Sequence, residues 1–228
     1  MAMTQNIESS QSSSAASSRR PLKLAVLLSG SGRTLENIQQ EILAGRLNAQ
    51  ISLVISSSPK AYGVTRAANH GLNCVTIARK DYADPQSFSD AIWPLVRQAQ
   101  ADLVCLAGFL CLLRIPEDMT NRVINIHPAL LPAFGGHGMF GHHVHEAVLA
   151  AGCKVSGCTV HIADNTYDTG PIIIQRTCPV YDTDTPDDLA ARVFEEECLA
   201  FPEALKLFAE NRVSFDGRIA RIRPAAQA

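Results

Sequence analysis

Three polar side chains, a carboxamide, an imidazole and a carboxylate, stand out in this sequence. Asn125 and His127 lie in the apolar run 123–132 (VINIHPALLP), and Asp168 begins the segment 168–171 (DTGP). Together these groups can hold a carbonyl oxygen, move a proton and orient the group that moves it. The pattern predicts acyl-type transfer chemistry, and none of the three side chains needs a metal to perform it.

A second strand precedes the carboxylate. Residues 157–164 (GCTVHIAD) alternate so that Thr159 and His161 share one face, and the polar loop that follows can bring Asp168 up to His127. A structural interpretation is equally consistent with these residues: Asp168 makes an Asx-turn and His161 is a hydrogen-bonded core residue. The residues alone leave both interpretations open.

A turn of small residues at 29–34 (SGSGRT) joins the first strand to the first helix. Such a turn can bring backbone N–H groups to a phosphate, and Arg33 can add a counter-charge, although an ordinary structural turn explains it as well. Leu35 stands where a dinucleotide loop needs its third glycine, no Lys-Ser/Thr pair follows, and serines 56–58 follow the next strand where an acidic residue would hold a ribose. A phosphate monoester therefore fits better than a dinucleotide.

Histidines are concentrated in one stretch, which raises the question of a metal site. If a helix begins near Gly141, only His142 and His145 have a spacing that shares a helical face, and no His-Glu-x-x-His pattern is present. We expect no metal here, but a mobile glycine-rich loop leading into a helix, with histidines over a substrate or in solvent. Five of the seven histidines belong to this group: His127, His137, His142, His143 and His145.

The elements that must position these residues alternate between strand and helix, which implies a parallel sheet. Asn125 and His127 then lie at the carboxyl end of a strand, where open α/β sheets bind ligands. We predict strands at 24–28, 51–56, 74–77, 103–107, 123–126, 157–164 and 172–174, helices at 35–43 and 64–69 and after the Asp84-Pro85 cap, a long segment 185–211, and a hairpin at 213–222.

Composition limits the class of partner. The chain has 228 residues, 46% of them hydrophobic, with a formal charge of −2 and a sequence pI near 6.4. Neither nucleic acid nor an anionic membrane is an expected partner for such a chain, and no apolar run approaches the ~20 residues of a membrane span. We therefore expect small-molecule substrates.

Cysteines and the first residues bear on location and domain organisation. The seven cysteines are scattered and never spaced as Cys-x-x-Cys, which indicates a reducing cytoplasm. Residues 1–20 are serine-rich and carry no apolar core of a signal peptide, so we predict a disordered leader at 1–20 and one folded domain at 21–228.

Taken together, these motifs resemble the folate-dependent formyltransferases. The similarity covers nearly everything after Pro21, and it rests on the residue strings at 29–32 (SGSG), 106–109 (LAGF), 125–132 (NIHPALLP), 157–161 (GCTVH) and 168–170 (DTG). The resemblance implies an α/β, Rossmann-like three-layer domain with a mostly parallel central sheet. It also implies transfer of a formyl group from 10-formyltetrahydrofolate, the co-substrate, to the amine of glycinamide ribonucleotide in purine (IMP) biosynthesis, without a metal, by a monomer or homodimer.

The resemblance also assigns roles to individual residues. His127 would titrate near neutrality, with its proton affinity raised by Asp168. By the same resemblance Asn125, His127 and Asp168 are catalytic, Gly32, Arg33 and Thr34 bind the substrate phosphate, Glu197 binds the ribose, and Leu113, Ala163, Asp164 and Asp168 contact the folate.

This chain departs from the family pattern at four positions near the expected folate and substrate sites. Cys111 replaces a common arginine, Ile162 an aromatic residue, Asn165 an acidic residue and Cys198 a histidine. The folate contacts are therefore the part of the pattern that differs, while the catalytic three are intact.

Three alternatives belong to other classes. A formyltetrahydrofolate hydrolase would use the same three residues with water as the acceptor, but that family resembles this one with an added N-terminal regulatory domain. Methionyl-tRNA formyltransferase would need basic charge and an RNA-binding domain. A His-rich metal-binding module would leave Asn125 and Asp168 unexplained.

Overall fold

Strands and helices alternate along the computed structural model, which describes residues 20–225. The predicted leader 1–20 lies outside the described residues except for Arg20. The elements are β1 (Leu22–Leu28), α1 (Arg33–Leu43), β2 (Ala49–Ser56), α2 (Tyr62–Asn69), β3 (Cys74–Thr76), α3 (Pro85–Gln98), β4 (Leu103–Leu106), β5 (Val123–His127), α4 (His142–Ala150), β6 (Val155–Ile162), β7 (Ile172–Pro179), α5 (Pro186–Ala209), β8 (Val213–Asp216) and β9 (Ile219–Ile222).

The central sheet has seven strands in the order β3-β2-β1-β4-β5-β6-β7. Its first five strands are parallel, whereas β6 runs antiparallel to both β5 and β7. The chain moves outward from β1 in one direction and then returns to add β4 on the other side, so the strand order reverses between β1 and β4. Ligands of open α/β sheets bind at such a switch point, beyond the carboxyl ends of the strands.

Both faces of the sheet are covered, which explains why its strands are nearly continuous apolar runs. Alternate residues of β1 enter two separate cores: Leu24, Val26 and Leu28 pack with α1 and α5 on one face, and Ala25 and Leu27 pack with α3 on the other. The result is the expected three-layer, Rossmann-like arrangement with a mostly parallel sheet.

The N-termini of the helices differ in how they are capped. As predicted, Asp84 caps α3, because its side chain accepts a hydrogen bond from the Ser87 N–H. Thr185 forms a capping box at α5, which was not predicted from the sequence. Helix α1 instead begins after Gly32 with no side-chain cap. Its first turn starts two residues earlier than predicted, so Arg33 and Thr34 belong to the helix.

The remaining elements largely follow the sequence. The hairpin β8–β9 forms at the predicted place, and β5 extends one residue beyond the prediction to include His127. Among the described residues, no helix is both long and apolar enough to cross a membrane.

Candidate active site

A cavity of about 500 Å³ lies at the carboxyl ends of the central strands. Its wall combines the turn after β1, the segment after β4, the end of β5, the glycine-rich loop with the start of α4, the loop after β6 and one face of α5. Every residue predicted for catalysis or binding lines this cavity: Gly32, Arg33, Thr34, Leu113, Asn125, His127, Ala163, Asp164, Asp168 and Glu197.

Asn125 is held by a neighbour on the antiparallel strand. It is the register partner of His161, and its Nδ2 donates to His161 Nε2 at 3.1 Å. The other ring nitrogen of His161, Nδ1, donates to the Ile162 carbonyl at 2.8 Å, so Nε2 acts as the acceptor. Because one N–H of the amide is fixed in this way, the second N–H of Asn125 has a defined direction.

His127 is buried, with 3% of its surface exposed, at the end of β5. Its Nε2 donates to the Phe134 carbonyl at 2.8 Å, and its Nδ1 lies 3.6 Å from Asp168 Oδ2. Burial lowers the pKa of His127 and outweighs the raising effects of the Asp168 charge and the Phe134 carbonyl. The imidazole is therefore neutral at pH 7, and Nδ1 carries the free lone pair. The pKa of His127 is thus lower than the near-neutral value expected from the sequence.

Asp168 joins the two histidines to the glycine-rich loop. Its Oδ2 accepts from the Gly136 N–H at 2.9 Å, and its Oδ1 lies 3.6 Å from His161 Nε2. Burial alone would raise the pKa of Asp168, but His161, His127 and the Gly136 N–H together bring it below its ordinary value. The carboxylate is thus ionised beside a neutral His127.

The Asx-turn that the sequence allowed for Asp168 is formed by Asp164 instead. Asp164 Oδ1 accepts from the Thr166 N–H at 2.8 Å, which is the Asx-type contact considered for Asp168. His161 is both a buried, hydrogen-bonded residue and a neighbour of Asn125 and Asp168. Sequence reasoning missed the Phe134 carbonyl and the Gly136 N–H, for which the glycines at 135 and 136 were the available signal.

The turn before α1 is tightly packed. Gly32 has a φ of +71°, and a Cβ there would lie 2.5 Å from the Gly63 Cα, so only glycine fits. Arg66 Nε donates to the Ser31 carbonyl at 3.1 Å, and the Leu110 N–H donates to Ser29 Oγ at 2.9 Å. The first turn of α1, which has no side-chain cap, therefore lies in the cavity wall on a turn held by these contacts.

Two residues of α5 control the charge next to this turn. The Arg33 guanidinium stacks on the Phe194 ring, with Cζ 3.5 Å from the ring centroid. Burial raises the pKa of Glu197 to about 7, against the lowering effect of Arg33. Phe194 was not predicted as a site residue; its position three residues before Glu197, on the same helical face, was the only signal.

Segment 110–115 and loop 163–168 form two further walls of the cavity. Asn165 connects them, because its Oδ1 accepts from the Ile115 N–H at 2.7 Å and its Nδ2 donates to the Ile115 carbonyl at 3.2 Å. Arg114 Nη1 also donates to the Asn165 carbonyl at 3.2 Å. We call this set of contacts the Asn165 clamp. A carboxylate at position 165 would lack the donor that the clamp uses.

The clustered histidines have separate environments. His137 contacts the Tyr167 ring edge-on, while His142 and His143 are exposed and lie 3.4 Å from Asp187 and Glu146, respectively. His145 is buried and lines the cavity. Within residues 20–225, no three His, Cys, Asp or Glu side chains are grouped so as to hold a metal ion.

The fold and this cavity define a Rossmann-like α/β protein with the polar groups of an acyl-transfer site. The family model for formyl transferases matches residues 22–205, and the chain belongs to that family. The crystal structure of glycinamide ribonucleotide transformylase 1 from Symbiobacterium toebii is similar, with a TM-score of 0.83 and 39% identity, covering 89% of this chain and 94% of that one.

Curated relatives are similar over most of this chain. It is 37% identical over 197 residues to the chloroplastic phosphoribosylglycinamide formyltransferase of Vigna unguiculata, covering 85% of this chain. It is 39% identical over 197 residues to the trifunctional purine biosynthetic protein adenosine-3 of Drosophila melanogaster, covering 83% of this chain. The match spans 63% of the first relative and 14% of the second.

Proposed function

We propose that this protein transfers a formyl group from 10-formyltetrahydrofolate to the amine of glycinamide ribonucleotide, a step of purine biosynthesis. The observation that carries the proposal is the shared cavity. Asn125, His127 and Asp168, which suit acyl transfer, lie in the same cavity as the uncapped N-terminus of α1, which suits a phosphate monoester. The names of the similar proteins support formyl transfer and glycinamide ribonucleotide as the acceptor.

The reaction begins when the acceptor amine attacks the formyl carbon and negative charge develops on the formyl oxygen. The free N–H of Asn125 is the proposed donor to that oxygen, since its other N–H is fixed by His161. Both side chains project from neighbouring strands, so the donor is oriented by the fold before substrate arrives.

Proton transfer falls to His127. The attacking amine must lose a proton, and the neutral ring has a free lone pair at Nδ1 because Nε2 is engaged with the Phe134 carbonyl. The imidazolium formed in this way is stabilised by the Asp168 carboxylate 3.6 Å away. His127 can donate from Nδ1 only after it has taken this proton, and the proton then passes to the folate nitrogen as it leaves.

The substrates are proposed to lie along the length of the cavity. Gly32, Arg33 and Thr34 would bind the phosphate and Glu197 the ribose, which places the acceptor amine towards His127. Leu113, Ala163, Asp164 and Asp168 would contact the folate between the walls joined by the Asn165 clamp. We further propose that the protein acts in the cytoplasm as a monomer or homodimer.

One assay tests the activity. Purified protein is mixed with 10-formyltetrahydrofolate with and without glycinamide ribonucleotide, and release of tetrahydrofolate and formylated acceptor is followed. We expect release to depend on the acceptor. Equal release without the acceptor would assign the protein to the hydrolases instead.

A variant tests the mechanism within the same assay. His127→Ala should lower kcat by orders of magnitude while leaving the affinity for glycinamide ribonucleotide nearly unchanged, because the phosphate end of the cavity is intact. His143→Ala, at an exposed position on α4, is the matched control and should behave as wild type. Wild-type turnover by the His127 variant would refute the assignment.

A further inference from the structure

His145 is a buried histidine of α4 to which the mechanism above gives no task. Only 5% of its surface is exposed, although its neighbours His142 and His143 are on the outside of the molecule. Its ring lines the cavity that contains Asn125, His127 and Glu197. A polar ring in this position either fills space in the core or contacts whatever enters the cavity.

The hydrogen bonding of His145 distinguishes it from the other buried histidines. His127 and His161 use their ring nitrogens in contacts with the protein, whereas Nδ1 of His145 is enclosed and has no partner. None of the described residues hydrogen-bonds its Nε2 either. Buried polar groups normally have partners, and an unpaired buried N–H is rarer than an unpaired acceptor. The favoured neutral ring therefore carries its proton on Nε2, not on the enclosed Nδ1.

The charge state of His145 restricts the kind of group it can bind. Burial, together with the nearby His142 and His127, lowers the pKa of His145 to about 4. At neutral pH the ring is uncharged, so it offers no counter-charge to a phosphate or a carboxylate. It can make a hydrogen bond with a neutral group, such as a hydroxyl or an amide oxygen.

The position of His145 indicates which substrate supplies that group. Helix α4 packs against α5, the helix that carries Glu197 and Phe194, next to the turn before α1. The two walls of the folate end, 110–115 and 163–168, come from other elements. His145 is thus grouped with the residues proposed for the acceptor and not with those proposed for the folate.

We infer that His145 is a binding residue for the acceptor, donating a hydrogen bond from Nε2 to a neutral oxygen of the phosphorylated amine substrate. This inference rests on the proposed function. It gives one member of the histidine stretch a role in substrate affinity without a metal and without a role in proton transfer.

The test uses three variants of the full-length protein. His145→Phe keeps a ring of similar size without nitrogen, His145→Gln can place an amide N–H near the Nε2 position, and His143→Gln is the exposed control. For each, calorimetry measures the dissociation constant for glycinamide ribonucleotide, kinetics gives kcat and the KM for 10-formyltetrahydrofolate, and thermal denaturation checks folding.

We expect His145→Phe to weaken binding of glycinamide ribonucleotide about tenfold, a typical loss for one buried neutral hydrogen bond. The folate KM should stay within about twofold, and His145→Gln should recover most of the affinity. Unchanged acceptor affinity with a lower melting temperature would show that His145 is only a core residue. A change confined to the folate KM would also overturn the inference.

Failure of the proposed function would look different. In that case the wild-type protein itself would neither bind nor formylate glycinamide ribonucleotide, and both proposals would fall together. A wild-type protein that does both, alongside a His145→Phe variant with the same acceptor affinity, would overturn only the inference about His145.

Discussion

At the scale of single residues, burial decides the protonation state of His127. The ring is enclosed at the end of β5, and the cost of burying a charge exceeds the stabilisation that Asp168 provides. A neutral ring beside an ionised carboxylate is a base ready to accept a proton. In the free protein His127 is therefore neutral and can accept a proton, while Asp168 is already ionised and can stabilise the charge that results.

We expect the pKa of His127 in the free protein to lie below its ordinary value of about 6.5. The ring then gives up its proton at a lower pH than an exposed histidine does, so it is neutral throughout the range above neutrality. Asp168→Asn removes the negative charge that raises this pKa, and the pKa should fall further. NMR titration of the ring C–H signals measures both values. A higher pKa in the Asp168 variant would contradict the electrostatic account.

The contact between Arg33 and Phe194 makes a second prediction at this scale. Phe194→Leu removes the ring under the guanidinium, so Arg33 must be ordered by the substrate when it binds. We expect a loss of roughly 1 kcal/mol, or about a fivefold increase in the KM for glycinamide ribonucleotide. Phe194→Tyr keeps the ring and serves as the control. Equal effects of the two substitutions would show that stacking is not the cause.

At the scale of elements, the Asn165 clamp joins segment 110–115 to loop 163–168, so that the two form one continuous wall of the cavity. The side-chain amide pairs with both backbone groups of Ile115, much as a neighbouring strand would, and thereby connects the segment after β4 to the loop after β6. Asn165 itself does not line the cavity. Its expected influence on folate is therefore indirect, through the position of the walls.

Asn165→Asp should raise the KM for 10-formyltetrahydrofolate about threefold to tenfold. The carboxylate keeps the bond from the Ile115 N–H but cannot donate to the Ile115 carbonyl, and a single neutral hydrogen bond contributes ~1 kcal/mol. Acceptor affinity should be unchanged. Asn73→Asp makes the same charge change at an exposed site before β3, away from the cavity. If both variants raise the folate KM equally, net charge and not the clamp is responsible.

Much of the element order could be predicted from sequence, because buried parallel strands are short apolar runs between turn signals. The direction of β6 could not be predicted from sequence. The alternation of its inward and outward side chains is the same whether it runs parallel or antiparallel to β5. The pairing of Asn125 with His161 depends on that direction, and so does the single free N–H of the amide. Phe194 and the Phe134 carbonyl reach the site through tertiary packing, so the sequence pattern does not identify them.

At the scale of the whole molecule, the predicted domain begins at Pro21, with Arg20 just before it. Arg20 pairs with Asp102 at 2.6 Å in an exposed contact, and Asp102 also accepts from the Lys23 N–H at 2.9 Å. Surface ion pairs contribute little to stability. The folded domain should therefore not depend on what precedes it.

We expect a variant lacking residues 1–19 to keep kcat and both substrate KM values within about twofold of the full chain, with a similar melting temperature. Arg20 is retained in this variant, so its contact with Asp102 is the same as in the full chain. Steady-state kinetics and thermal denaturation make the comparison. A large loss of activity would show that the domain boundary proposed at residue 21 is wrong.

The cavity draws its lining from Gly30 at the start of the fold to Glu197 within the last long helix. During synthesis on the ribosome, the turn before α1, strand β5 and the loop after β6 therefore emerge before α5, the helix that completes the cavity wall. A nascent chain that stops in the loop before α5 could pair all seven strands of the central sheet and still lack Phe194 and Glu197. With the roles proposed for Arg33, Phe194 and Glu197, we expect the chain to bind the acceptor only after α5 has been translated and has docked on the sheet.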